Sequence, residues 1–484
     1  MHSLVIFGAS GDLTSRKLIP ALYNLFRKNR LPKFINVVGF SRTKMSSGDW
    51  RNKLAETTKQ FANKSFSQDV WNQFAARIHY FAGDIEESES FGQLDSLLKT
   101  LEGEDEVHRL FYLSTAPVFY RSATEQLGKA GMSVDSPGHS CRIVIEKPFG
   151  TDLESAQNLN ETVHRNFDES QIYRIDHYLG KETVNNILIL RFANAIFEPI
   201  WNRNYIGNIQ ITANEEVMVG RRAGYYEKAG VLRDMFQNHL LQILTFAAME
   251  PPARFDAKSV RDEKVKVLQS IRSMTADEVL QNSVCGQYRS YRDEAGVKTG
   301  SQTATYGALR LFIDNWRWNG VPIFLRSGKA MSCRTTQIVI NFRQPPHKMF
   351  ANDEVSTLPL PGNRLVLQLQ PAEGIQVHFE TKIPDTDMQM RSSELRFNFL
   401  DKFCGELPDS YERLLLDALN GDASLFARSD EVEAAWRIID PIQKCWESSR
   451  IIDPEFYEQG SMGPAHADRW IESFGVRWFD LCPM

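Results

Sequence analysis

Short apolar runs rich in β-branched residues alternate with polar and amphipathic stretches along the first third of the chain. Runs of this length, bounded by turn residues, predict buried strands, and the longer stretches between them predict helices. This alternation is typical of a doubly wound parallel sheet with helices on both faces. The strand candidates are VIFG at 5–8, INVVGF at 35–40, RIHYFAG at 77–83, RLFYLSTAP at 109–117 and RIVIEKP at 142–148.

The hydrophobic pattern changes after residue 176, where apolar and polar positions alternate with a period of two. In RLVLQLQ at 364–370 the leucines point to one side, whereas Val366 and Gln368 point to the other. This period predicts an antiparallel sheet with one covered face. The strand candidates are NIQITANEE at 208–216, IVINF at 338–342, RLVLQLQ at 364–370, IQVHFE at 375–380 and ELRFNF at 394–399.

Long helical stretches accompany the second sheet, and a length of 484 residues suits two domains better than one core. The sequence therefore predicts an N-terminal Rossmann-like α/β domain over 1–176 and a larger α+β domain, mainly antiparallel, over 177–484. A proline-containing run at 345–364 predicts a long surface loop. The helix candidates of the second domain are at 231–249, 410–419 and 428–439.

Composition and charge narrow the class of protein. Hydrophobic residues make up 42% and charged residues 24% of the chain, which is typical of a soluble globular protein. The net charge is −5 and the cations are scattered, which argues against a nucleic-acid partner. The longest apolar stretch, 240–249, is too short to span a bilayer, and no signal peptide precedes the first strand candidate. We expect a cytoplasmic protein.

The six cysteines are dispersed, without a CxxC pair or a histidine-rich companion. This spacing predicts neither a zinc site nor a disulfide framework. We therefore expect reduced thiols and no bound metal.

The first strand candidate runs straight into a glycine turn, and an amphipathic helix follows at once. A strand, a tight turn and a helix start bring backbone N–H groups and the positive end of a helix dipole to one point, which suits a phosphate. The turn is shorter than the six-residue dinucleotide fingerprint, so a plain tight connection is the alternative. The predicted cofactor-binding residues of the turn are Gly8, Ala9, Ser10, Gly11, Asp12 and Leu13.

The second strand candidate is followed by Arg42, where an NAD-binding protein carries an acid for the ribose hydroxyls. An arginine pairs instead with a 2′-phosphate, so the sequence predicts NADP as the cofactor. The alternative is an exposed loop arginine. Lys17, in the first helix, lies within reach of the same pocket. Because ligands bind at the carboxyl ends of such strands, we expect Asp84, Ile85 and Lys147 to line the cofactor cleft.

The segment RIDHYLGKE, at the point where the hydrophobic pattern changes, offers three groups that suit a dianion. If the segment is helical, His177 and Lys181 lie four residues apart on one face, with the Tyr178 phenol beside them. Two cationic or potentially cationic groups and a hydroxyl then form a clamp for a phosphate. The alternative is a solvated helix end with a chance pairing.

The helix candidate at 231–249 carries His239 within its apolar stripe. A lone histidine there is often a core residue. Asp234 and Asn238 add polar groups at the head of the helix, and Asp176 offers a carboxylate that can hold the imidazole. Such a pair removes the proton of an alcohol as a hydride leaves, so His239 and Asp176 are the predicted catalytic residues.

With these segments assembled, the chain resembles the glucose-6-phosphate dehydrogenase family over essentially its whole length. RIDHYLGKE and RDMFQNHLLQ are highly specific to that family, whereas the glycine turn alone is not. The resemblance implies the oxidation of glucose 6-phosphate at C1 by NADP, giving 6-phosphogluconolactone and NADPH in the first step of the oxidative pentose phosphate pathway. The segments that carry it are GASGDL, EKPFG, RIDHYLGKE, RAGYYEKAGVLRDMFQNHLLQ, WNGVPIFLRSGKAM, YERLLLDALNGD and LFARSDEVEAAWRIIDPI.

The resemblance also implies roles for individual residues. His239 matches the base that takes the proton of the anomeric hydroxyl, and Asp176 matches the carboxylate that pairs with this base. The residues that match the sugar-phosphate clamp are His177, Tyr178 and Lys181.

Further contacts are implied around the sugar and the cofactor. Arg42 matches the basic residue at the 2′-phosphate, and Lys17 matches the lysine after the glycine turn. Members of the family are usually dimers or tetramers formed through the sheet of the second domain, so we expect a homodimer or homotetramer. The remaining residues implied in substrate binding are Glu215, Asp234, Lys329, Arg334 and Lys147, the last of them between substrate and cofactor.

The chain departs from some members of the family, and two rival functions stand beside the favoured one. Mammalian members have a second, structural NADP site, and two of its basic residues are replaced here by Thr335 and Gln368. We therefore expect no second NADP site and a bacterial lineage. One rival function is a related aldose dehydrogenase of different sugar specificity, for which a phosphate clamp has little purpose. The other is a non-catalytic nucleotide-binding paralogue that keeps the fold without turnover.

Overall fold

The computed structural model divides the chain into two compact units, each built from more than one stretch of sequence. The residues it describes are 1–62, 65–103, 106–347, 349, 362–386, 388–402, 408–448, 453–480 and 482. Unit 1 comprises Met1–Glu182, Pro252–Asp262 and Leu407–Glu433. Unit 2 comprises Thr183–Pro251, Glu263–Glu406 and Ala434–Met484. The sequence predicts two continuous domains that meet at residue 176. Unit 1 also contains two later segments of the chain, which one boundary in the sequence does not describe.

Unit 1 is built on a six-stranded sheet. Its strands are β1 His2–Phe7, β2 Ile35–Ser41, β3 Ile78–Ala82, β4 Val107–Leu113, β5 His139–Ile145 and β6 Ile172–Arg174. All neighbours are parallel, in the order β3-β2-β1-β4-β5-β6. This order is that of a doubly wound nucleotide-binding sheet, so the predicted fold class is confirmed for this part of the chain. The short edge strand β6 was not among the predicted strands.

Helices connect the strands of unit 1. Two of them begin with capping boxes, formed by Ser46 with Asp49 and by Asp152 with Ser155, which satisfy N–H groups that the helix leaves unpaired. The connection after β1 starts as a π-helical turn over Thr14–Leu18. The helices are α1 Ile19–Arg27, α2 Ser47–Phe61, α3 Gln68–Ala75, α4 Ser88–Glu102, α5 Tyr120–Lys129 and α6 Leu153–His164.

The later part of the chain contributes nine more helices among the described residues. They are α7 Glu182–Phe192, α8 Ala223–Val231, α9 Leu241–Ala248, α10 Ala257–Ser270, α11 Ala276–Asn282, α12 Phe399–Lys402, α13 Ser410–Asn420, α14 Ser429–Ser448 and α15 Ala465–Glu472. Between α8 and α9 lies a π-helix, Leu232–Leu240. Helix α13 belongs to unit 1, where the buried Glu412 pairs with Lys28 at 2.6 Å. Short 3₁₀ turns lie at Pro117–Phe119, Glu169–Gln171, Glu198–Ile200, Gly220–Arg222 and Arg289–Asp293.

Unit 2 is built on a nine-stranded sheet. Its strands are β7 Ile206–Asn214, β8 Ser283–Tyr288, β9 Tyr306–Leu311, β10 Ile323–Gly328, β11 Thr335–Phe342, β12 Arg364–Gln370, β13 Gly374–Lys382, β14 Met390–Asn398 and β15 Glu455–Tyr457. The order is β14-β13-β12-β11-β7-β10-β9-β8-β15. Only the pairs β7–β10 and β8–β15 are parallel among these strands, so the predicted, mainly antiparallel sheet is confirmed.

Both faces of β12 are covered, which the sequence period did not indicate. Residues 365–369 are buried without alternation, so the prediction of one covered face is wrong for this strand. On the polar side, the side-chain amide of Gln210 donates to the carbonyl of Arg477 and that of Gln337 donates to the carbonyl of Phe479, both at 2.8 Å. Because the side-chain amides hydrogen-bond to these backbone carbonyls, the glutamine residues can lie on a covered face without unpaired donors.

Two predicted helices have different limits in the structure. The stretch 231–249 is not a single α-helix, since a bend at Gly230 precedes the π-helix and α9 follows it. Helix α14 continues past residue 439 and contains Pro441. Within the described parts of the chain, no helix is both long and apolar enough to cross a membrane. The predicted surface loop at 345–364 lies mostly outside the described residues.

Two of the cysteines depart from the prediction made for them. Cys333 and Cys482 form a disulfide, with Cα atoms 5.8 Å apart and a sequence separation of 149. The predicted absence of a disulfide and the expectation of reduced thiols are wrong for this pair, because the fold brings together residues whose spacing gives no signal. Free thiols are carried by Cys141, Cys285 and Cys445.

Candidate active site

The glycine turn after β1 has a backbone that excludes any side chain at its first position. Gly8 has a φ of +82°, and a Cβ atom there would meet the carbonyl oxygen of Ser114 at 2.1 Å. The N–H groups of Gly8 and Ala9 donate to the carbonyl of Phe40 at 2.9 and 3.2 Å. The turn is therefore fixed at the carboxyl ends of β2 and β4, where nucleotides bind in sheets of this order.

The helix after the turn begins at Asp12, and the first N–H groups of a helix have no partner inside it. The positive end of the helix dipole lies at the same point and favours an anion. Side chains hold this geometry: Ser10 Oγ lies 2.9 Å from Ser41 Oγ, and Thr14 Oγ1 donates to Ser114 Oγ at 3.3 Å. The geometry of the turn thus agrees with the phosphate-binding role predicted for it, which stays a prediction.

Arg42 lines a cavity of about 380 Å³ at the carboxyl ends of β2 and β3. Lys44 adds a second cation to the same cavity, and Asp84 lines it as predicted from the sequence. Ile85 is buried beside this segment. The Arg42 guanidinium also lies 5.8 Å from the centre of the Phe119 ring. Arg42 and Lys44 thus supply two cations for a ribose 2′-phosphate, in a cavity that Asp84, Glu87 and Glu89 also line.

Lys17 has another partner in the structure. Its ammonium group forms an ion pair with Asp409 at 2.8 Å, and both side chains are exposed. Lys17 does not line the cavity of Arg42 as far as the described residues show it. Its cofactor-binding role stays a prediction.

These features fit NADP. The glycine turn packs directly against the backbone of Ser114, at the edge of the sheet where a dinucleotide binds in folds of this order. Arg42 and Lys44 supply the cations, and Arg42 stands where an NAD-specific site carries an acid.

Strand β5 is followed by a buried carboxyl group that was not predicted as part of any site. The hydroxyl of Tyr112 donates to Glu146 Oε1 at 2.5 Å and that of Tyr411 at 3.2 Å. Burial raises the pKa of Glu146, and the two hydrogen bonds offset this only in part. The cluster anchors the chain next to Lys147, and the Lys147–Pro148 peptide bond is cis. The carboxyl group at the end of an apolar strand was the signal in the sequence.

A turn, not a helix, follows β6. Residues 177–180 form this turn and α7 begins only at Glu182, so the helical premise of the clamp prediction is wrong. Asp176 Oδ1 accepts the N–H of Tyr178 at 3.0 Å, a local bond that competes with helix formation. Glycine also disfavours a helix, and a Cβ atom at Gly180 would lie 2.6 Å from a backbone carbonyl oxygen of α13.

The turn nevertheless brings the predicted clamp residues together in unit 1. The Lys181 ammonium lies 3.2 Å from the centre of the Tyr178 ring, and the His177 ring lies 5.0 Å from the same ring. A cation over an aromatic face is held by the ring quadrupole. Asp176 and Tyr178 are buried, whereas His177 and Lys181 are partly exposed, so a ligand can reach the two basic groups.

In unit 2 three predicted substrate residues form a charged cluster in which Lys329 and Asp234 are buried and Glu215 is partly exposed. The Lys329 ammonium pairs with Glu215 and with Asp234, the latter at 3.2 Å. Asp234 is 5% exposed and Lys329 7%. Burial lowers the pKa of Lys329, but the two carboxylates outweigh burial, so the pKa is raised. Two carboxylates share one ammonium group, and carboxylate oxygens are acceptors that suit sugar hydroxyls.

The backbone holds Lys329 in place. Its N–H donates to the carbonyl of Thr305 at 2.9 Å, and its carbonyl accepts the hydroxyl of Tyr457 at 2.8 Å. Ala330, the next residue, has a φ of +53°, a conformation that residues other than glycine rarely adopt and that is frequent at functional sites. Tyr457 was not predicted as part of the site because it lies 128 residues from the lysine it supports.

His239 lies in the π-helix between α8 and α9 and is 1% exposed. The π-helix is rare and is frequent at functional sites. Its i→i+5 hydrogen bonds place Asp234, five residues earlier, about one turn from His239, whereas an α-helix would turn the two side chains apart. The backbone N–H of His239 donates to Asn238 Oδ1 at 2.6 Å. Residues 234–248, in the π-helix and in α9, are all buried, so neither of these helical segments has a solvent-exposed face there.

Arg334 forms a different contact in unit 2. It is exposed, and its guanidinium donates to Gln370 Oε1 at 3.2 Å. Its contact with a substrate stays a prediction. Unit 2 therefore brings together three of its predicted sugar-binding residues, and the helix that carries Asp234 also carries the predicted base.

Two family models and two sequence relatives that match this chain belong to one enzyme family. The family model "Glucose-6-phosphate dehydrogenase, NAD binding domain" matches residues 5–186, and "Glucose-6-phosphate dehydrogenase, C-terminal domain" matches residues 188–479. Glucose-6-phosphate 1-dehydrogenase of Aggregatibacter actinomycetemcomitans is 43% identical over 98% of this chain and 96% of that protein. The chloroplastic enzyme of Solanum tuberosum is 41% identical over 99% of this chain and 84% of that protein.

Solved structures agree with the sequence relatives. A glucose-6-phosphate dehydrogenase in complex with its substrate glucose 6-phosphate matches with a TM-score of 0.91 and 35% identity, over 99% of this chain and 98% of the other. Glucose-6-phosphate 1-dehydrogenase from Mycobacterium avium matches with a TM-score of 0.85 and 34% identity, over 99% of each chain.

Proposed function

The chain belongs to the glucose-6-phosphate dehydrogenase family, and on that premise we propose which of its residues carry the NADP-dependent oxidation of glucose 6-phosphate at C1 to 6-phosphogluconolactone. The observation that carries the proposal is the charged cluster of Lys329, Asp234 and Glu215 at the head of the π-helix that bears His239. A buried base beside acceptor carboxylates is what the oxidation of a polyol requires.

In this proposal the sugar phosphate is held at its two ends. His177, Tyr178 and Lys181 bind the phosphate, because two basic groups and a hydroxyl suit a dianion. The carboxylates of Glu215 and Asp234 accept the sugar hydroxyls. Lys147 and Arg334 make the remaining predicted contacts with the substrate.

The chemical step is an acid–base reaction at the C1 hydroxyl. His239 accepts the proton as the O–H electron pair forms the new C=O bond. Asp176 orients the imidazole and stabilises the positive charge that it gains. NADP supplies the acceptor for the hydride that leaves C1. Since His239 is buried, water does not compete for its proton.

Unit 1 provides the cofactor seat in this proposal. The glycine turn of residues 8–13 binds the phosphates, and Arg42 binds the 2′-phosphate. Asp84, Ile85 and Lys147 line the cleft, and Lys17 is the proposed further cation.

The substitution His239→Asn tests the proposal, because it keeps a planar polar side chain and removes the base. We expect kcat to fall by about 10²–10⁴-fold while binding of glucose 6-phosphate changes little. NADPH absorbance gives kcat, and calorimetry gives the binding constants of glucose 6-phosphate and of NADP. His378→Asn, on β13, is the matched control and should keep full activity. Unchanged turnover in His239→Asn would remove this residue from the mechanism.

We also propose that the enzyme is a homodimer or homotetramer formed through the sheet of unit 2. Strand β14, at the edge of that sheet, exposes 64% of Leu395 and 36% of Phe397, and a second copy would cover such apolar area. Light scattering gives the oligomeric state. The proposed location is the cytoplasm, which cell fractionation tests.

A further inference from the structure

The first turn of α13, residues 409–412, contacts four separate parts of unit 1. The helix begins at Ser410, and its N-cap is Asp409, whose Oδ1 accepts the N–H of Tyr411 at 3.0 Å. Successive residues of a helix are turned by about 100°, so neighbouring side chains of one turn point to different sides. One turn can therefore bind several segments that are far apart in the sequence.

Two of the four contacts reach the helix that follows the glycine turn. Asp409 Oδ2 pairs with Lys17, in the π-helical turn before α1, at 2.8 Å. The buried carboxylate of Glu412 pairs with Lys28 at 2.6 Å and accepts a hydrogen bond from Asn24 Nδ2 at 3.1 Å. The helical segment at the proposed cofactor seat is thus attached to α13 at both of its ends.

The third contact reaches the end of β5. The Tyr411 hydroxyl donates to Glu146 Oε1 at 3.2 Å, beside the shorter bond from Tyr112. The Tyr120 hydroxyl donates to the backbone carbonyl of Glu146 at 3.0 Å. Glu146 is followed directly by Lys147, which is proposed to lie between substrate and cofactor. Of these three tyrosines only Tyr411 belongs to α13, so it links this carboxylate to the other contacts of the first turn.

The fourth contact reaches the turn at 177–180. A Cβ atom at Gly180 would lie 2.6 Å from the carbonyl oxygen of Ser410 and 2.8 Å from Cγ of Leu414. Only a glycine allows so close an approach. Tyr178 and Lys181, which are proposed to bind the sugar phosphate, lie on either side of this glycine in the sequence. The proposed phosphate clamp therefore packs directly on the first turn of α13.

The Tyr411 hydroxyl stays a donor. Burial raises the pKa of Tyr411, and the charges of Glu146, Asp409 and Asp176 raise it further. These carboxylates come from the end of β5, from the start of α13 and from the residue before the turn at 177–180. The phenol thus lies near all three segments.

These contacts join two proposed ligand sites within unit 1. The phosphate clamp and the cofactor seat come from distant stretches of the sequence, and the first turn of α13 contacts the segments of both. Reacting atoms must come within about 3–3.5 Å of each other, and a displacement of about 1 Å can cost about 10²-fold in rate. A rigid connection between the two sites therefore matters more for kcat than for either affinity.

We propose that the first turn of α13 is a positioning element, which sets the sugar phosphate and the cofactor at the separation that hydride transfer needs. Tyr411 is its central positioning residue and touches neither ligand. It acts through Glu146 on Lys147 and through the helix start on the turn at 177–180. This proposal rests on the proposed function, because it takes the clamp and the cofactor seat as defined there.

The substitution Tyr411→Phe removes only the hydroxyl and tests the proposal. We expect kcat to fall about tenfold, because the two ligands are displaced relative to each other. The Kd values of glucose 6-phosphate and of NADP, measured by calorimetry, should change less than about twofold. A loss of affinity with an unchanged kcat would overturn the proposal.

Tyr112→Phe is the matched control. It removes the shorter bond to the same carboxylate oxygen but leaves α13 attached to Glu146. Its kcat should stay within about twofold of that of the unchanged chain. Equal losses of kcat in Tyr112→Phe and Tyr411→Phe would assign the effect to the bonds of Glu146 alone and contradict a role of α13.

Glucose 6-phosphate deuterated at C1 separates misplacement from other defects. Misplaced ligands make hydride transfer slower, so the isotope effect on kcat in Tyr411→Phe should be at least as large as in the unchanged chain. A smaller isotope effect would place the defect in the release of a ligand and would count against positioning.

Gly180→Ala approaches the same connection from its other end. The added Cβ atom pushes the turn at 177–180 away from α13, so kcat should fall here too. Because both substitutions break one connection, the double variant with Tyr411→Phe should lose less than the product of the two single losses. Gly92→Ala, in α4, where a Cβ atom would meet nothing within 4 Å, is the control and should keep its kcat. Losses that multiply would mean two independent effects.

Amide hydrogen exchange tests the element without turnover. In the full chain without ligands, Tyr411→Phe should speed exchange in peptides that cover 144–149 and 176–182, whereas Tyr112→Phe should speed it only in the first. The same pattern in both variants, or no change in either peptide, would overturn the proposal. If the unchanged chain does not oxidise glucose 6-phosphate but this pattern is found, the proposed function fails and the link through α13 stands.

Discussion

The glycine turn of unit 1 and the charged cluster of unit 2, the two proposed binding sites, are built by opposite means. The turn uses backbone N–H groups and one position that admits no side chain. The cluster uses charged side chains, two of them at least nine-tenths buried, which hold one another in place. Consecutive residues build the turn, whereas Glu215 and Lys329 are 114 residues apart. A site of the first kind is specified by local sterics, and a site of the second kind exists only once the fold has formed.

Removing the central charge should break the second kind of site. Lys329→Met keeps much of the side-chain volume but leaves Asp234 buried without its cation. Breaking a buried ion pair in this way costs about 3–5 kcal/mol, so we expect a matching loss in the free energy of unfolding and a higher KM for glucose 6-phosphate. Urea denaturation followed by circular dichroism measures the stability.

A lysine that is paired at the surface is the matched control. Lys266 pairs with Glu263 and is 61% exposed, so Lys266→Met should change stability by less than about 0.5 kcal/mol. If Lys329→Met and Lys266→Met were equally stable, the cluster of unit 2 would not depend on charge compensation.

A methyl group should break the first kind of site. Gly8→Ala places a Cβ atom 2.1 Å from a backbone oxygen at a φ of +82°. The left-handed conformation and the overpacking together cost about 2–5 kcal/mol, part of which appears as weaker NADP binding. Fluorescence titration with NADPH and thermal unfolding measure the two effects.

Gly131→Ala separates the two causes. Gly131 has a φ of +69°, but a Cβ atom there would meet nothing within 4 Å. This variant should therefore lose only the conformational part, about 1–2 kcal/mol, and keep its affinity for NADPH. Equal losses in the two variants would mean that the contact with Ser114 does not set the shape of the turn.

Of the three site variants, Arg42→Ala is expected to have the smallest effect. In the proposed cofactor site, this side chain adds one contact to those made by the backbone of the glycine turn. Arg42→Ala should lower the affinity for NADP by about 1.5–3 kcal/mol and leave that for NAD unchanged. The ratio of kcat/KM for the two cofactors measures this preference. Arg121→Ala removes an arginine that is 69% exposed and pairs with Glu125, and it serves as the control. A preserved preference in Arg42→Ala would assign selection to another cation.

The same contrast explains what the sequence could predict. The parallel sheet and its phosphate turn followed from apolar runs and glycines, because both signals are local. The residues of the charged cluster were predicted only through the family resemblance, and their ion pairs could not be read from spacing. The turn at 177–180 replaced a predicted helix because an Asp176 side-chain bond and a close approach at Gly180 outweigh the spacing of His177 and Lys181.

Three further features depend on contacts that a single sequence does not reveal. The second face of β12 is covered by a segment more than a hundred residues later, where the Arg364 guanidinium lies 4.5 Å from the centre of the Phe479 ring. Cys333 finds Cys482 for the same reason. The π-helical winding around His239 was not predicted either, because residues three or four apart in an apolar stripe indicate only that some helix forms.

The ion pair between Lys28 and Glu412 has a consequence for how the protein is made. Its partners are 384 residues apart, so a ribosome that adds about 5–20 residues per second delivers the glutamate roughly 20–80 s after the lysine. Until then the nucleotide-binding unit lacks α13 and cannot complete its core. Unit 1 therefore completes its core only after much of unit 2 has been synthesised, and chaperones that bind exposed apolar surface can act on the nascent chain during this interval.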